Sequence, residues 1–412
     1  MKVYNSREDK GRQEENESRK DLEDILRQGA QQMLQKAIQW EVQEYLLVNE
    51  TERDEAGHQL VVRNGWREAR LLQTGLGNID IRQPRVNDRR EGKRFTSNIL
   101  PPYMRRAPSI EALIPALYLA GVSTNNFTNA LESILGKKAQ GLSANSIVRL
   151  KNIWEGEYRQ WVSRDLSGKE YVYWWVDGIY FNVRLTDERP CLLVIIGVLA
   201  DGTKELVTIW DGERESKISW KELLSDLKRR GITKAPKLAT GDGALGFWAA
   251  LEEEYPKVKQ QRCWVHKTVN ILDKLPKSVQ PSAKELIRQM YMAPTKETAL
   301  KVYDEFLKCY QAKYPKACEC LEKDKEVLFT FYDYPAEHWI HIRTTNVIES
   351  AFATVRHRTR QTKGCGSRIA TLVMVYKLGR EAEKHWQKIR AYKLIEKVIT
   401  GIRFIDGIEE AA

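Results

Sequence analysis

The sequence predicts a mixed α/β fold of the α+β kind, and three observations predict it. The first is a run of strand formers. Tyr171–Arg184 is rich in aromatic and β-branched residues, Cys191–Leu199 is nearly all apolar, and a turn at Asp201-Gly202 leads into Glu205–Trp210, so the stretch reads as an antiparallel meander. The second is the change of pattern that follows. Ser216–Arg230 is an amphipathic helix ended by Gly231, Lys237–Thr240 a short strand, Ala244–Tyr255 a helix and Val258–Trp264 a strand. The third is that both flanks are helical. A meander followed by helix, strand, helix, strand is an RNase H-like order. In a doubly wound fold, parallel strands alternate with helices from the start.

From the N-terminus, residues 1–20 are highly charged and expected to be disordered. They hold no apolar core of a signal peptide. Residues 21–60 carry an amphipathic helix, Leu22 to about Val48, with Leu22, Ile25, Leu26, Met33, Leu34, Ala37, Ile38 and Val42 on one face. That face packs either on its own domain or on a second subunit. Residues 61–165 form an N-terminal region with short strands at Val61–Trp66 and Gly77–Arg85. Between Arg82 and Arg106 eight Arg/Lys face two acids, Asp88 and Glu91, with Phe95 and Tyr103 interleaved. This is a candidate strip for phosphate contacts or else a basic solvated loop. Residues 109–156 read as helices broken at Gly121 and Gly136, the spacing of a helix-turn-helix and of any small helical hairpin. The core is expected in two parts, 166–265 and 339–412. They are separated by an all-α insertion at 266–338, punctuated by Pro276, Pro294, Pro315 and Pro335. Two further helices are expected at 344–362 and 367–400.

A net charge of +11 favours a polyanionic partner, nucleic acid before membrane, and no apolar run reaches the length of a membrane span. Six scattered cysteines read as reduced thiols, so the expected compartment is the cytoplasm, in contact with DNA.

Asp177 stands in the middle of a buried strand pattern, with Gly178 after it. It is either a turn residue between two strands or a carboxylate that must be paired, turned to an edge or bound to metal. Asp242, between Gly241 and Gly243, ends a strand that lies beside the first in an RNase H-like sheet. Convergent carboxylates of this kind suggest a hard cation, Mg²⁺ or Mn²⁺. Gly241–Gly246 also fits G-x-G-x-x-G, but Asp242 would set a negative charge where a pyrophosphate should sit, and no acid follows at the required distance. Glu349 is the candidate third acid, three residues after Asn346 on one helical face and followed by Arg356, Arg358 and Arg360; Glu337 and Glu252–Glu254 are its rivals. Cys263-Trp-Val-His266 has metal-ligand types at a usable spacing, but a structural zinc site needs four ligands and no second regular pair is visible.

Taken together, Asp177-Gly-x-Tyr, Gly241-Asp-Gly, Gln261-Arg-Cys-Trp-Val-His-Lys267 and Thr345-Asn-x-x-Glu-Ser350 resemble the Mutator-type transposase family of bacterial insertion sequences. Upstream, Arg63-Asn-Gly-Trp66, Gln83-Pro-Arg85, Leu100–Arg106 and Leu117–Thr124 are similar to that family's N-terminal signature. The resemblance implies a DDE transposase with an N-terminal DNA-binding region. Asp177, Asp242 and Glu349 would be the metal-binding triad, holding two Mg²⁺ (or Mn²⁺) ions, with Asp177 bridging both. Cys263, His266 and Asn346 would organise the site. The DNA contacts would fall to Arg85, Arg105, Arg106, Arg184, Lys267, Arg356, Arg358 and Arg360. The partners implied are terminal inverted repeats, target DNA and at least a second copy of the chain, in a bacterial cytoplasm at the nucleoid. The sequence departs from the family pattern at Gly364-Cys-Gly366 and at Trp66. A nuclease that cuts without joining and a non-catalytic DNA-binding derivative are the alternatives.

Overall fold

The computed structural model describes residues 5–102, 104–109, 144–181, 191–212, 214–243, 245–361 and 367–410. The chain forms two compact units, Met1–Val148 and Arg149–Ala412, in a mixed α/β architecture with a helical N-terminus.

The first unit opens with α1, Asn5–Val48. The helix begins well before Leu22, and the charged segment simply extends it. Four short strands follow: β1 (Val61–Trp66), β2 (Arg70–Thr74), β3 (Gly77–Ile81) and β4 (Pro84–Asp88), with β1 antiparallel to β4 and β2 antiparallel to β3. Only part of the apolar face of α1 is used. Ile38 and Leu34 pack with Leu72, Ile79, Ile81 and Leu100, while Leu22, Ile25, Leu26 and Met33 stay exposed. Gln31 and Gln35 fix the docking by donating to the carbonyls of Asp80 and Arg82 at 2.8 and 2.6 Å. Of the helices expected over 109–156, the stretch 110–143 lies outside the described residues. The last is α2, Ala144–Val162.

The second unit is built on one five-stranded sheet of β5 (Tyr171–Tyr180), β6 (Cys191–Leu199), β7 (Lys204–Gly212), β8 (Leu238–Gly241) and β9 (Lys259–Arg262), in the order β7-β6-β5-β8-β9. The first three pair antiparallel; β8 runs parallel to β5, and β9 parallel to β8. β5 is one strand of ten residues rather than two strands broken at Asp177. Its ladder continues through Asp177↔Val194 and Gly178↔Leu193 to Tyr180↔Cys191. β9 stops at Arg262, two residues early, because the Trp264 amide donates to the Arg343 carbonyl and the chain turns at once into α5, Trp264–Leu272.

Both faces of the sheet are covered, which is why its central strands are apolar without alternation. On one face Trp174 and Val176 pack with α3 (Lys217–Arg229) and α4 (Leu245–Glu254), through Trp220, Leu223, Leu227, Phe247 and Leu251. Ser216 caps α3 by accepting from the Ser219 amide. Tyr173 and Trp175 point the other way, as alternation requires. The Tyr173 hydroxyl meets His338 at 2.8 Å, and Trp175 donates to the His341 carbonyl at 2.9 Å. The described elements after β9 are helical up to Thr400: α6 (Gln280–Met292), α7 (Lys296–Tyr310), α8 (Pro315–Glu322), α9 (Lys325–Leu328), α10 (Trp339–Ile342), α11 (Asn346–Gln361), α12 (Arg368–Glu383) and α13 (Ile395–Thr400), with short 3₁₀ turns among them. Among the described residues, no helix is long and apolar enough to cross a membrane.

Candidate active site

The parallel register of β5 and β8 builds the site. Val176 is paired with Gly241, so the next residue on each strand, Asp177 and Asp242, stands at the same level at the carboxyl end of the ladder. Asp177 is 7% exposed. By alternation it shares a face with Tyr173 and Trp175. The glycines around Asp242 answer to close approach. A Cβ on Gly241 would lie 2.8 Å from the Val176 side chain, and one on Gly243 would lie 2.1 Å from the Arg262 guanidinium. The Trp248 indole donates to the Asp242 carbonyl at 2.9 Å and closes the turn.

β9 brings the next two groups. Arg262 pairs with Gly241, and the Cys263 amide donates to the Gly241 carbonyl at 2.8 Å, so Cys263 sits just past the strand, beside Asp242. Cys263 is the residue before α5, which puts His266 in its first turn.

Glu349 arrives from far along the chain because the segment 341–345 is strapped to the sheet. Trp175 holds the His341 carbonyl, and Thr240 donates to the Ile342 carbonyl at 2.6 Å. The Arg343 carbonyl accepts from the Trp264 amide, and Thr345 donates to Cys263 Sγ through both amide and hydroxyl, each at 3.2 Å. α11 starts at the next residue, with Glu349 in its first turn. Its Oε1 lies 3.7 Å from His266 Nε2. Thr345 immediately precedes the helix: its carbonyl accepts from the Ile348 and Glu349 amides, while its hydroxyl donates to Cys263 and lies 3.3 Å from His266 Nδ1.

The electrostatics follow from this packing. The hydrogen bond with Cys263 is the largest influence on His266 and raises it to about 9 against the effect of burial; Asp177 and Asp242 add to the rise. Burial opposes ionisation of Cys263, but the hydrogen bonds from His266 and Thr345 outweigh it and hold the thiol below its ordinary value. The two groups thus shift toward each other's charged form, the histidine up and the thiol down.

Comparison with known proteins decides what such a constellation belongs to. The family model described as "Transposase, Mutator family" matches residues 2–389. The chain belongs to the Mutator family of transposases. It is 54% identical over 295 residues to the transposase for insertion sequence element IS6120 of Mycolicibacterium smegmatis, covering 72% of this chain and 91% of that protein. It is 52% identical over 286 residues to the transposase for IST2 of Acidithiobacillus ferrooxidans, covering 68% and 94%. Among solved structures, the Drosophila P element transposase strand transfer complex matches over 77% of this chain and 84% of that one, at 12% identity and a TM-score of 0.28, a likeness too distant to bear on the fold. The transposase is thus a DNA-cutting and strand-joining enzyme.

The other residues singled out in the sequence fall in several places. Asn346 is exposed at the start of α11. Arg85 and Arg105 are exposed, and Arg106 Nε donates to Gln73 Oε1 at 3.0 Å. Arg356, Arg358 and Arg360 lie on the backbone of α11, with their side chains outside the described residues, as is Arg184 altogether. Lys267, expected at the DNA surface, is 2% exposed, and its ammonium binds Asp324 at 2.7 Å. The first turn of α5 points it inward, toward the same carboxylate that Arg262 meets at 3.1 Å.

One acid at the site went unnoticed in the sequence. The Glu215 carboxyl lies over Gly178, where a Cβ would meet it at 2.6 Å, and its Oε1 is buried with no hydrogen-bond partner. Burial, then Asp242 and Asp177, push it up to about 8, with His266 opposing. It approaches from the face opposite Asp177, and the one sequence signal for it is Gly178, which leaves the room it fills.

Proposed function

We propose that Asp177, Asp242 and Glu349 are the acidic triad of a DDE transposase. The observation that carries this is the β5–β8 register, which sets Asp177 beside Asp242. The strap through Thr240, Trp264 and Cys263 then brings Glu349 to His266. The sheet order supports an RNase H-like core, with the helices between β9 and α11 as an insertion.

Among the described residues, no three His, Cys, Asp or Glu side chains already close round one point tightly enough to hold a metal ion. The donor set nevertheless fits a hard divalent cation: two adjacent carboxylates and a third in reach of His266, all offering oxygen. Mg²⁺ or Mn²⁺, two ions in the full reaction, would be held by Asp177, Asp242 and Glu349 and would supply charge neutralisation and an acidified attacking oxygen. His266, positive near neutrality, holds Glu349 toward the sheet through their ion pair, and Cys263 and Thr345 fix the ring. In the first step water attacks a phosphodiester, and the P–O bond to the 3′ oxygen breaks, leaving a 3′-hydroxyl. In the second, that hydroxyl attacks a target phosphodiester, and one bond forms as another breaks. No covalent bond to the protein is needed. The N-terminal unit would bind the terminal inverted repeats, and pairing two ends requires at least two copies of the chain.

The test is a strand-transfer assay with a labelled duplex carrying the element's own end, a plasmid target and Mg²⁺. Asp177→Asn and Glu349→Gln are each expected to lower joining on the order of 10²–10³-fold or more. They should also weaken Mn²⁺ binding by calorimetry, with the melting temperature unchanged. Cleavage without joining by the wild type would favour a nuclease. Tight binding with neither would favour a DNA-binding derivative.

A further inference from the structure

The first unit holds a second concave, charged site, far from the acids in sequence and opposite in sign. A cavity of about 420 Å³ is lined by Arg67, Arg70, Arg94 and Arg105, with Phe95 on its wall and Glu68 as its sole acid. The backbone around it is firmly held. The Arg67 amide donates to the Gln83 carbonyl at 2.8 Å, and Arg70 opens β2 opposite Ile81. The segment carrying Arg105 runs beside β2, where the Gln73 amide donates to the Arg105 carbonyl at 2.9 Å. The loop after Arg94 is pinned twice. Glu41 of α1 accepts from the Ser97 hydroxyl and from the Asn98 and Ile99 amides, and Arg70 donates to the carbonyls of Leu100 and Pro101 at 3.1 and 2.9 Å.

The guanidiniums themselves are treated differently. Arg90, in the same basic strip, spends its charge on Asp88 at 2.8 Å and on Tyr45 and Asn49. Among the described residues, Arg67, Arg94 and Arg105 make no ion pair, and all three are exposed. Arg70 Nε is buried with no partner. Burial, and then Arg67, hold the Arg70 guanidinium below its ordinary value. Four like charges on a rigid frame around one hollow, with a single carboxylate among them, repel one another until an anion enters. The planar fork of arginine suits a phosphate oxygen pair.

We propose that this cavity seats a backbone phosphate of DNA with its flanking deoxyribose, the phosphate on Arg67, Arg94 and Arg105 and the sugar against Phe95. The inference rests on the transposase reading and deepens it, because it assigns part of the DNA grip to one built pocket rather than to the basic strip at large. Phosphate contacts set position and affinity but carry no base sequence.

The test uses the full chain, by fluorescence anisotropy on an end-bearing duplex and on a scrambled duplex, from about 50 to about 200 mM KCl. Arg67→Gln with Arg94→Gln should lower the slope of log affinity against log salt by about 0.9 for each phosphate that the protein no longer neutralises. The ratio between the two duplexes should stay unchanged. Neither side chain holds the fold, so the melting temperature should stay put. Glu68→Gln should shift affinity the opposite way. The control removes two exposed charges elsewhere, Arg229→Gln with Lys301→Gln. A pocket variant indistinguishable from that control, or a Glu68→Gln variant that binds no tighter, would overturn the pocket. If the pocket variants bind normally while Glu349→Gln still abolishes joining, only the pocket falls. If wild type neither binds nor joins, the function reading falls with it.

Discussion

Gly243 leaves no room for a side chain, and the reason lies in a charge network under the site. A Cβ there would sit 2.1 Å from the Arg262 guanidinium, which is 5% exposed and paired with Asp324 at 3.1 Å. Asp324 also holds Lys267, so the guanidinium cannot retreat without breaking a buried cluster. Gly243→Ala is expected to cost about 1–3 kcal/mol, the usual range for overpacking. Thermal denaturation would show this, and a variant as stable as wild type would mean that Arg262 moves freely. Gly178 is the instructive contrast. Its added Cβ meets only the carboxyl end of Glu215, a flexible terminus, so Gly178→Ala should cost less in stability than Gly243→Ala. The two glycines look alike in the sequence. What separates them is whether the neighbour can give way, and that depends on groups contributed by distant segments.

At the scale of elements, the strap at 339–345 turns a sheet into a site, and it carries a titratable group. His341 Nε2 accepts from the Arg390 amide at 3.0 Å. Burial, then Lys204, His338 and Arg390, push His341 down to about 4. Its folded value thus lies below that of an unfolded histidine, about 6.5. The folded state binds fewer protons between those values, so stability is full above about 6.5 and falls as pH drops toward 4, by at most roughly 1.4 kcal/mol per pH unit. Melting temperatures of wild type and His341→Gln from pH 7.5 to 4.5 should converge toward low pH; parallel curves would count against it. The strap also shows what the sequence could and could not reveal. The strand order was readable because residues 171–264 change period from two to 3.6 and glycines mark the turns. Of the two readings open for Asp177, the turn between two strands does not hold, because Gly178 stays in the ladder against Leu193. The tie from Thr345 to Cys263 spans 82 residues and leaves no local pattern. For Glu215 the one sign was Gly178, a residue of another segment. In α1, Met33 and Trp40 are 74% and 69% exposed. If that face joins two copies, as end pairing requires, Trp40→Glu should lower the sedimentation-derived mass while the melting temperature holds. An unchanged mass would send the search for the interface elsewhere.

Across the whole molecule, the two compact units have opposite chemistry. The first presents four arginines around a hollow. The second presents converging acids at the end of a sheet. With the triad proposed above, an acidic centre would repel the polyanion it is to cut, so binding and chemistry are best supplied by different surfaces, and the net charge of +11 is the sum over both. The second unit should fold alone. Its sheet is covered by α3 and α4 on one face and by the 334–342 segment, α2 and α12 on the other; Tyr376 of α12 meets Tyr158 of α2 edge-on at 5.5 Å and Trp161 at a tilt at 5.0 Å. A fragment of residues 149–412 is therefore expected to melt cooperatively and to bind Mn²⁺ as the full chain does. It should lose the preference for an end-bearing over a scrambled duplex, because the residues that would read the end precede it. Competition anisotropy with the two duplexes measures that preference directly. A fragment that still discriminates would move end recognition into the second unit and leave the arginine pocket a purely electrostatic task.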